Sequence, residues 1–170
     1  GLRSIVRQDP DIVMVGEIRD LETAEIAIQA ALTGHLVLST IHTNDASGTV
    51  SRFLSMGTKP YLLAPALNSM IGQRLIRRVC EQCKREIKLD DETDKRVLDL
   101  LKQLREEDRK EIDFNNLKFF EGGGCEACQG IGYKGRIGIY EVLTMNQEIE
   151  KLILASQASE YSMRDNAKKN

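Results

Sequence analysis

The sequence predicts an α/β fold followed by a small tetracysteine module and a helical C-terminal segment. Apolar runs and helical patterns alternate along residues 1–78, as expected for a parallel sheet with helices packed on it. A charge-dense stretch then lies between two Cys-x-x-Cys pairs, and residues 148–168 have the pattern of a helix. We therefore divide the chain into an α/β domain at residues 1–78, a tetracysteine module at 79–141 and a helical segment at 142–170.

The first predicted elements are a strand and a helix. Ile12–Val15 is a short, mostly β-branched apolar run, which predicts a strand buried on both faces. Asp20 can N-cap a helix that continues to Leu32, because an aspartate side chain accepts hydrogen bonds from the first helical N–H groups. Gly34 stands just beyond, at the position where glycine commonly ends a helix.

A second strand and two further helices follow. The run Leu36–Leu38 predicts another buried strand, and Asn44 or Asp45 can cap a helix that Gly57 ends. The order strand, helix, strand, helix predicts a βαβ unit with parallel strands. Another helix is predicted over residues 61–78, with a proline inside its first turns.

The tetracysteine module contains further predicted elements. Residues 90–111 predict a charged, one-sided surface helix inserted between the cysteine pairs. The glycines at 122–124 predict a flexible approach to the second pair. Residues 133–141 predict a hairpin or an edge strand.

Composition limits the classes of function. The 170 residues carry a net charge of −2, which gives no support to nucleic acid or an anionic membrane as a partner. No apolar stretch approaches the length of a membrane span. The chain opens at Gly1 without a methionine or a signal peptide, on a stretch expected to be helical, which suggests a piece of a longer cytoplasmic protein.

Side chains at the ends of the two predicted strands suit phosphate chemistry. Glu17 follows the first strand, where a carboxylate can orient or deprotonate a water that attacks a phosphate. His35 and His42, the only histidines, bracket the second strand, and Thr40 follows it. Imidazole and hydroxyl groups suit contacts with phosphate oxygens. Each feature taken alone is also compatible with a structural role.

The cysteines form two chelating pairs, Cys80-x-x-Cys83 and Cys125-x-x-Cys128. Each pair presents both sulfurs to one point, so two pairs can complete a tetrahedral cage. The pattern predicts a structural zinc site in preference to reduced or redox-active thiols. The charged helix accounts for the long insert between the pairs.

Residues 7–46 resemble the Walker B and histidine-box segment of the secretion superfamily ATPases, the motors of type II secretion and type IV pilus assembly (the GspE/PilB group). The segment carries Gly16 where most P-loop enzymes have an aspartate, as this family does. The stretch at 73–80 and the glycine-rich stretch at 130–141 resemble the family's sequence around its tetracysteine insert. The resemblance implies that the first domain is the C-terminal half of a RecA-like P-loop ATPase core.

The resemblance also implies roles for individual residues. Glu17 corresponds to the catalytic glutamate and His42 to the phosphate-sensing histidine. His35 opens the histidine box, and we assign it to cofactor binding together with Thr40. The four cysteines correspond to the family's zinc ligands.

The resemblance further implies a hexameric cytoplasmic ATPase at the inner face of the membrane, which uses ATP and Mg²⁺. We expect an inner-membrane platform protein and other components of the secretion or pilus machinery as partners, and no nucleic acid. The phosphate-binding Walker A motif, G-x-x-x-x-G-K-[ST], does not occur in these 170 residues. We therefore expect the chain to be inactive alone.

Two alternatives stay open. A standalone zinc-binding interaction module without enzymatic activity would account for the cysteines. A nucleic-acid-handling ATPase would account for the cysteines and for the basic residues Arg74, Arg77 and Arg78, although the near-neutral charge disfavours it.

Overall fold

The computed structural model describes residue 8 and residues 10–169. The described residues belong to two compact units. The first unit lies within Gly1–Gln73 and Tyr140–Asn170, and the second is Arg74–Ile139. The helix expected at the start of the chain falls on residues 1–7, outside the described part.

The first unit begins with a strand, a helix and a parallel strand. Strands β1 (Ile12–Val15) and β2 (Leu36–Ser39) pair in register from Ile12 opposite Leu36 to Val15 opposite Ser39. Helix α1 (Leu21–Leu32) connects them, and its N-cap Asp20 accepts a 2.8 Å hydrogen bond from the backbone of Thr23. The predicted βαβ unit and its cap are confirmed.

The prediction that both strands are buried on both faces is wrong. Val13 and Val15 face the core, whereas Ile12 and Met14 are 59% and 81% exposed. Leu36 and Leu38 are exposed as well. Helix α1 contributes its apolar residues to the same core as Val13 and Val15. Among the described residues no second layer covers the opposite face, so alternate side chains point away from the core.

The next elements are two short helices. Helix α2 (Gly48–Ser55) is followed by Gly57, whose φ of +97° is the left-handed conformation that ends a helix, as predicted. Helix α3 (Pro60–Ala66) has a proline at its first position, where no backbone donor is needed.

The helix predicted over residues 61–78 is wrong beyond Ala66. Strand β3 occupies Ser69–Val79 and pairs with strand β6 (Tyr133–Thr144). Pro65 supplies no N–H to the last turn of α3, and Leu67 is already extended. Pairing with β6 then satisfies backbone N–H and C=O groups of the residues that we predicted as the rest of this helix.

Strand β6 confirms the strand predicted at residues 133–141, and two helices follow it. These are α6 (Gln147–Leu154) and α7 (Glu160–Lys169), so the single helix predicted over 148–168 is interrupted. Ser156 adopts a left-handed φ of +57°, which stops α6. Ser159 then accepts a hydrogen bond from the backbone of Ser162 at 3.1 Å, the geometry of a new N-cap.

The apolar core cluster lies entirely in the first unit. Its buried members come from the strands β1 and β3, the end of β6, the helices and the connecting loops. They are Val13, Val15, Ile18, Ala24, Ala27, Ile28, Ala46, Val50, Phe53, Leu63, Ala64, Met70, Leu143, Ile149, Ile153, Ala158 and Met163.

The second unit contains an antiparallel pair and the insert helices. Strands β4 (Lys84–Ile87) and β5 (Phe119–Gly122) pair with Lys84 opposite Gly122. The single helix predicted over residues 90–111 forms as α4 (Asp91–Lys102) and α5 (Glu106–Lys110). Neither helix contains a buried residue, so no packing holds the two as one helix across 103–105. Across residue 8 and residues 10–169, no helix combines the length and apolar composition needed to cross a membrane.

Candidate functional site

The parallel pairing of β1 and β2 brings the carboxyl ends of the two strands together. Beyond the last strand pair, the backbone N–H of Ile18 donates to the carbonyl of Thr40 at 2.9 Å. The hydroxyl of Thr40 donates to the carbonyl of Gly16 at 2.7 Å. These two bonds fix the residues that follow both strands, which are the residues expected to carry the chemistry.

Glu17 lies at the centre of this strand-end site. Its side chain is 19% exposed, and Oε1 lies 2.6 Å from Nε2 of His42. Its other oxygen, Oε2, pairs with Nη2 of Arg19. Oε1 is buried and, despite its contact with the imidazole, accepts no hydrogen bond within the described part of the chain. The site therefore holds a carboxylate oxygen whose lone pairs are available to a water.

The charge state of Glu17 follows from these neighbours. The hydrogen bond from Arg19 is the main cause that lowers the pKa of Glu17, and the charges of Arg19 and His42 lower it further. Desolvation acts in the opposite direction but is the smaller effect overall. Glu17 is therefore an ionised carboxylate near neutral pH, able to accept hydrogen bonds from water.

His42 is 84% exposed and lies on the loop that links β2 to α2. Its imidazole contacts Glu17, and the loop conformation sets the position of the ring. Nε2 is occupied by that contact, and the rest of the ring faces outward. The structure brings His42 into contact with Glu17 and bonds Thr40 to Gly16, the residue before Glu17.

His35 does not join them. It precedes β2, whereas Thr40 and His42 follow it, so the strand separates His35 from Thr40 by roughly 16 Å at about 3.3 Å per residue. Nδ1 of His35 lies 2.9 Å from the carbonyl of Ala30 and 3.2 Å from the hydroxyl of Thr33. In this position His35 contacts the C-terminal end of α1.

Arg19 is a site residue that the sequence reasoning missed. It stands two residues after Glu17 in a segment that is neither helix nor strand. Residues two apart in an extended segment project to the same side, so the Glu-x-Arg spacing was the available signal. Its effect on the charge of Glu17 becomes visible only when the two side chains are placed.

The second candidate site is formed by the four cysteines. Cys80 follows β3, and Cys83 lies in the turn that leads into β4. Cys125 and Cys128 lie at the two ends of a single 3₁₀ turn, Glu126–Cys128 and its cap. Their four sulfur atoms lie within 4.8 Å of one another.

The sulfur distances fit one tetrahedral metal ion. The pairs Cys80–Cys125, Cys83–Cys128 and Cys125–Cys128 are separated by 3.9, 3.8 and 3.7 Å. Four sulfurs at about 2.3 Å from a central zinc would be about 3.8 Å apart. A disulfide would need about 2.05 Å, and all four cysteines are free. The four cysteines can therefore bind a metal ion.

Backbone N–H groups favour thiolate at this cluster. The amides of Cys125 and Gly132 both donate to the sulfur of Cys128 at 3.2 Å, and they lower the pKa of that thiol to about 6. Desolvation raises the pKa of Cys83 to about 12, more than the amide of Gly124 lowers it. Adjoining sulfurs cannot all ionise without a cation, so a bound metal would complete the charge balance.

The glycines around the cluster are packing residues, so the flexible approach predicted at 122–124 is wrong. A Cβ added to Gly122 would lie 1.9 Å from the carbonyl oxygen of Gly132. Gly132 in turn accepts from the backbone of Cys80 at 2.9 Å and donates to the sulfur of Cys128. Gly123 donates to the carbonyl of Cys83 at 2.9 Å. These backbone contacts join the two cysteine pairs, and only glycine allows the close approach.

Comparison with known proteins gives consistent matches along the whole chain. Residues 1–170 match the family described as Type II/IV secretion system protein. The chain is 48% identical over 159 residues to the type IV pilus assembly ATPase PilB of Thermus thermophilus, covering 94% of this chain and 17% of that protein. It is 46% identical over 163 residues to the type II secretion system ATPase E of Vibrio cholerae, covering 96% of this chain and 30% of that protein.

A solved structure shows the same architecture. The pilus retraction motor PilT with bound ADP matches with a TM-score of 0.57 at 28% identity, over 97% of this chain and 35% of that one. Together with the four-cysteine cluster, this match confirms the predicted α/β fold class. The chain spans less than a third of the length of the PilB and ATPase E relatives.

Proposed function

We propose that the chain, which belongs to the type II/IV secretion system protein family, forms part of an ATPase that powers type IV pilus assembly or type II secretion. The family match also confirms the resemblance seen at residues 7–46. The named relatives are ATPases of these two systems. Because the chain spans a fraction of their length, the activity belongs to the intact protein, with the chain supplying the strand-end site of Glu17.

The observation that carries this proposal is the buried Oε1 of Glu17, which lies 2.6 Å from Nε2 of His42 and accepts no hydrogen bond within the described residues. The reaction requires a water whose oxygen bonds to the γ-phosphorus while the bond from that phosphorus to the bridging oxygen of ADP breaks. Glu17 accepts a hydrogen bond from this water and takes its proton as the new bond forms. Its lowered pKa makes it a better orienting group than base, so positioning the water is its larger contribution.

The neighbouring residues take supporting roles. His42 donates to a γ-phosphate oxygen and so couples the presence of that phosphate to the position of Glu17. Thr40 holds the two strand ends together through Gly16 and offers its hydroxyl oxygen to the nucleotide side. His35 lies at the opposite end of β2, where its contact with the carbonyl of Ala30 stabilises the C-terminal end of α1. We keep its assignment to cofactor binding as a proposal to be tested by His35→Ala.

ATP and Mg²⁺ are the cofactors we propose for the intact protein, where Mg²⁺ neutralises phosphate charge as the reaction proceeds. Residues 1–170 contain no Gly-Lys pair and hence no Walker A motif. The phosphates of ATP are held mainly by the backbone amides and the lysine of that motif. We therefore propose that these 170 residues alone hydrolyse no ATP and bind it weakly at best.

The test is Glu17→Gln in the full-length protein. The amide keeps the size of the side chain but cannot take the proton of the water or carry the orienting charge. Turnover should fall about a hundredfold to ten-thousandfold while nucleotide binding is retained. Glu25→Gln, an exposed change on α1, should leave both unchanged. Parental turnover by Glu17→Gln, measured beside nucleotide titrations, would contradict the assignment.

A parallel test concerns His42. His42→Ala should lower turnover by removing the contact to the γ-phosphate, and it should weaken discrimination between ATP and ADP. Glu17→Gln should leave that discrimination intact. Nucleotide titrations with both variants separate the sensing role from the water-orienting role.

Zinc is the metal we propose for Cys80, Cys83, Cys125 and Cys128. Four thiolates at tetrahedral spacing are a typical structural zinc site, with no open position for catalysis. Metal analysis should find one zinc per chain, and X-ray absorption should find four sulfur ligands at about 2.3 Å. An interchain or intrachain disulfide in protein prepared under reducing conditions would contradict this assignment.

We propose further that the intact protein forms a hexamer at the cytoplasmic face of the inner membrane. Its partners would be an inner-membrane platform protein and other components of the secretion or pilus machinery. Light scattering of the full-length protein with nucleotide tests the ring, and copurification tests the platform protein. The 170-residue chain itself should be monomeric or weakly associated.

A further inference from the structure

The loop that carries His42 is held at both of its ends. At its start, Thr40 is fixed to β1 through Gly16 and Ile18. Between Thr40 and α2 the chain has no regular secondary structure. The position of the His42 imidazole therefore depends on what holds the far end of the loop.

The far end is held by two side chains that come from β6 and α7. Oε2 of Glu141 accepts a hydrogen bond from the backbone N–H of Ala46 at 3.1 Å. Nη2 of Arg164 lies 2.5 Å from Oδ2 of Asp45. The other oxygen of Asp45 accepts from the backbone of Gly48 at 2.9 Å, at the start of α2.

Burial and charge indicate that these contacts are specific. Ala46 is buried in the core, so its N–H needs a partner, and Glu141 supplies a charged one. The side chain of Asp45 is 13% exposed, and its pKa is lowered although desolvation opposes this, because Gly48 and Arg164 both stabilise the carboxylate. The hydroxyl of Thr43 donates a hydrogen bond to the carbonyl of Asp45 at 2.9 Å. Because Thr43 adjoins His42, this bond connects the anchored Asp45 to the residue next to the imidazole.

Gly72, in strand β3, lies next to the hydrogen bond between Glu141 and Ala46. A Cβ added to Gly72 would lie 2.9 Å from Oε2 of Glu141 and 3.1 Å from the backbone nitrogen of Ala46. The absence of a side chain at Gly72 is therefore what leaves room for the bond between Glu141 and Ala46. Gly72 does not adopt a positive φ, so the space, and not the backbone conformation, is the reason for glycine here.

We infer that Glu141 and Arg164 are positioning residues, which hold the far end of the His42 loop so that the imidazole stays against Glu17. This inference rests on the proposed function for its effect on turnover, but the loop anchoring itself does not depend on any activity. Nothing in the two side chains touches the reacting atoms. They act through Ala46 and Asp45.

The first test measures the loop directly in the full-length protein. Hydrogen–deuterium exchange of peptides spanning residues 41–50 should become about ten to a hundred times faster in Glu141→Ala, because a charge-assisted bond to a buried amide is lost. Arg164→Gln should accelerate exchange in the same peptides by a smaller factor, since the ion pair is partly exposed. Glu141→Gln keeps an acceptor oxygen and should stay within a few fold of the parent.

Two further variants guard against a general loss of structure. Gly72→Ala leaves Glu141 in place but crowds its bond to Ala46, so it should reproduce the faster exchange of Glu141→Ala. Asp165→Asn, an exposed change beside Arg164 on α7, should change nothing at residues 41–50. Unchanged exchange in both Glu141→Ala and Gly72→Ala would overturn the anchoring.

The second test measures turnover. Glu141→Ala and Gly72→Ala should lower kcat about tenfold with little change in KM, and Glu141→Gln should recover most of the rate. Faster loop exchange with parental kcat would overturn the positioning role and leave only a structural one. If the parent itself showed no ATPase activity, the proposed function would fail while the exchange data would still decide whether Glu141 and Arg164 anchor the loop.

Discussion

The two units of the molecule are stabilised by different means. The first unit contains the whole apolar core cluster, drawn from strands, helices and loops. In the second unit, Arg74–Ile139, the buried side chains among the described residues are those of Cys80 and Cys128. Its helices α4 and α5 contain no buried residue. The first unit has the means to fold by burying apolar surface, and the second does not.

This difference indicates that the metal site is what stabilises the second unit. A short segment without a core needs a disulfide, a metal or a partner to offset the conformational entropy that it loses on folding. The cysteine cluster, reinforced by backbone bonds through Gly132 and Gly123, contains the two side chains that are buried within the described part of the second unit. We therefore expect metal binding and folding of the second unit to be a single event, independent of the core of the first unit.

The largest expected effect comes from breaking the metal site. Cys80→Ser, or a strong chelator, should release zinc and unfold much of Arg74–Ile139, since apparent binding energies at such sites reach about 10–16 kcal/mol. Hydrogen exchange should rise throughout that unit and stay near parental values in α1 and α6. Equal protection loss in both units would show that the first unit also depends on the metal.

The second-largest effect is expected from a cavity in the apolar core of the first unit. Ile153→Ala empties a fully buried position on α6 and should cost about 2–5 kcal/mol of unfolding free energy in the first unit. Leu154→Ala, at a neighbouring position that is 49% exposed, is the matched control and should cost much less. Zinc content should be unaffected by either change. Chemical denaturation monitored by region checks the free energies, and metal analysis checks the site.

A smaller effect is expected from crowding the backbone of the second unit. Gly122→Ala would place a Cβ against the carbonyl of Gly132, so the strand end must shift, at a cost of about 1–3 kcal/mol. Competition with a chelator should then remove zinc more readily. Gly123→Ala meets its nearest neighbour at 3.3 Å and serves as the milder control. If both variants held zinc like the parent, Gly122 would be a tolerant position after all.

The sequence predicted the elements whose signals are local. Asp20 as a cap, Gly34 and Gly57 as helix ends, and the strand at 12–15 were found where pattern and chemistry placed them, and the strand predicted at 36–38 extends one residue further, to Ser39. Cysteine spacing likewise predicted a cluster, because two residues between cysteines fix both sulfurs on one turn.

The errors arose where tertiary pairing decided the outcome. Residues 69–79 carry a helix-compatible mixture of arginine and leucine, but the partner strand β6 lies far along the chain, and no local pattern reveals it. The exposed faces of β1 and β2 depend on which layers cover the sheet. Glu141 and Arg164 were missed for the same reason, since each acts on a loop about a hundred residues away.

The smallest expected effect concerns pH and the site of the first unit. Three ionisable groups meet at this site: the carboxylate of Glu17, the guanidinium of Arg19 and the imidazole of His42. Arg19 is the main cause of the lowered pKa of Glu17, through its hydrogen bond and its charge. A lowered folded-state pKa means that Glu17 favours the folded state above its unfolded pKa, and that this contribution disappears as pH falls through the folded value.

Arg19→Gln should therefore raise the pKa of Glu17 toward that of an ordinary carboxyl group. Turnover in the full-length protein would then begin to fall at a higher pH on the acidic side, with the alkaline side unchanged. Direct titration of the labelled Glu17 carboxyl by NMR checks the shift without relying on activity. Arg85→Gln, which removes an ion pair with Glu121 in the second unit, is the matched control and should leave this titration unmoved. Arg19 is largely exposed, so salt should remove the part of the pKa difference between parent and Arg19→Gln that comes from charge. The larger part, which comes from the hydrogen bond, should persist at high salt, and a difference that vanished would assign the whole shift to the charge.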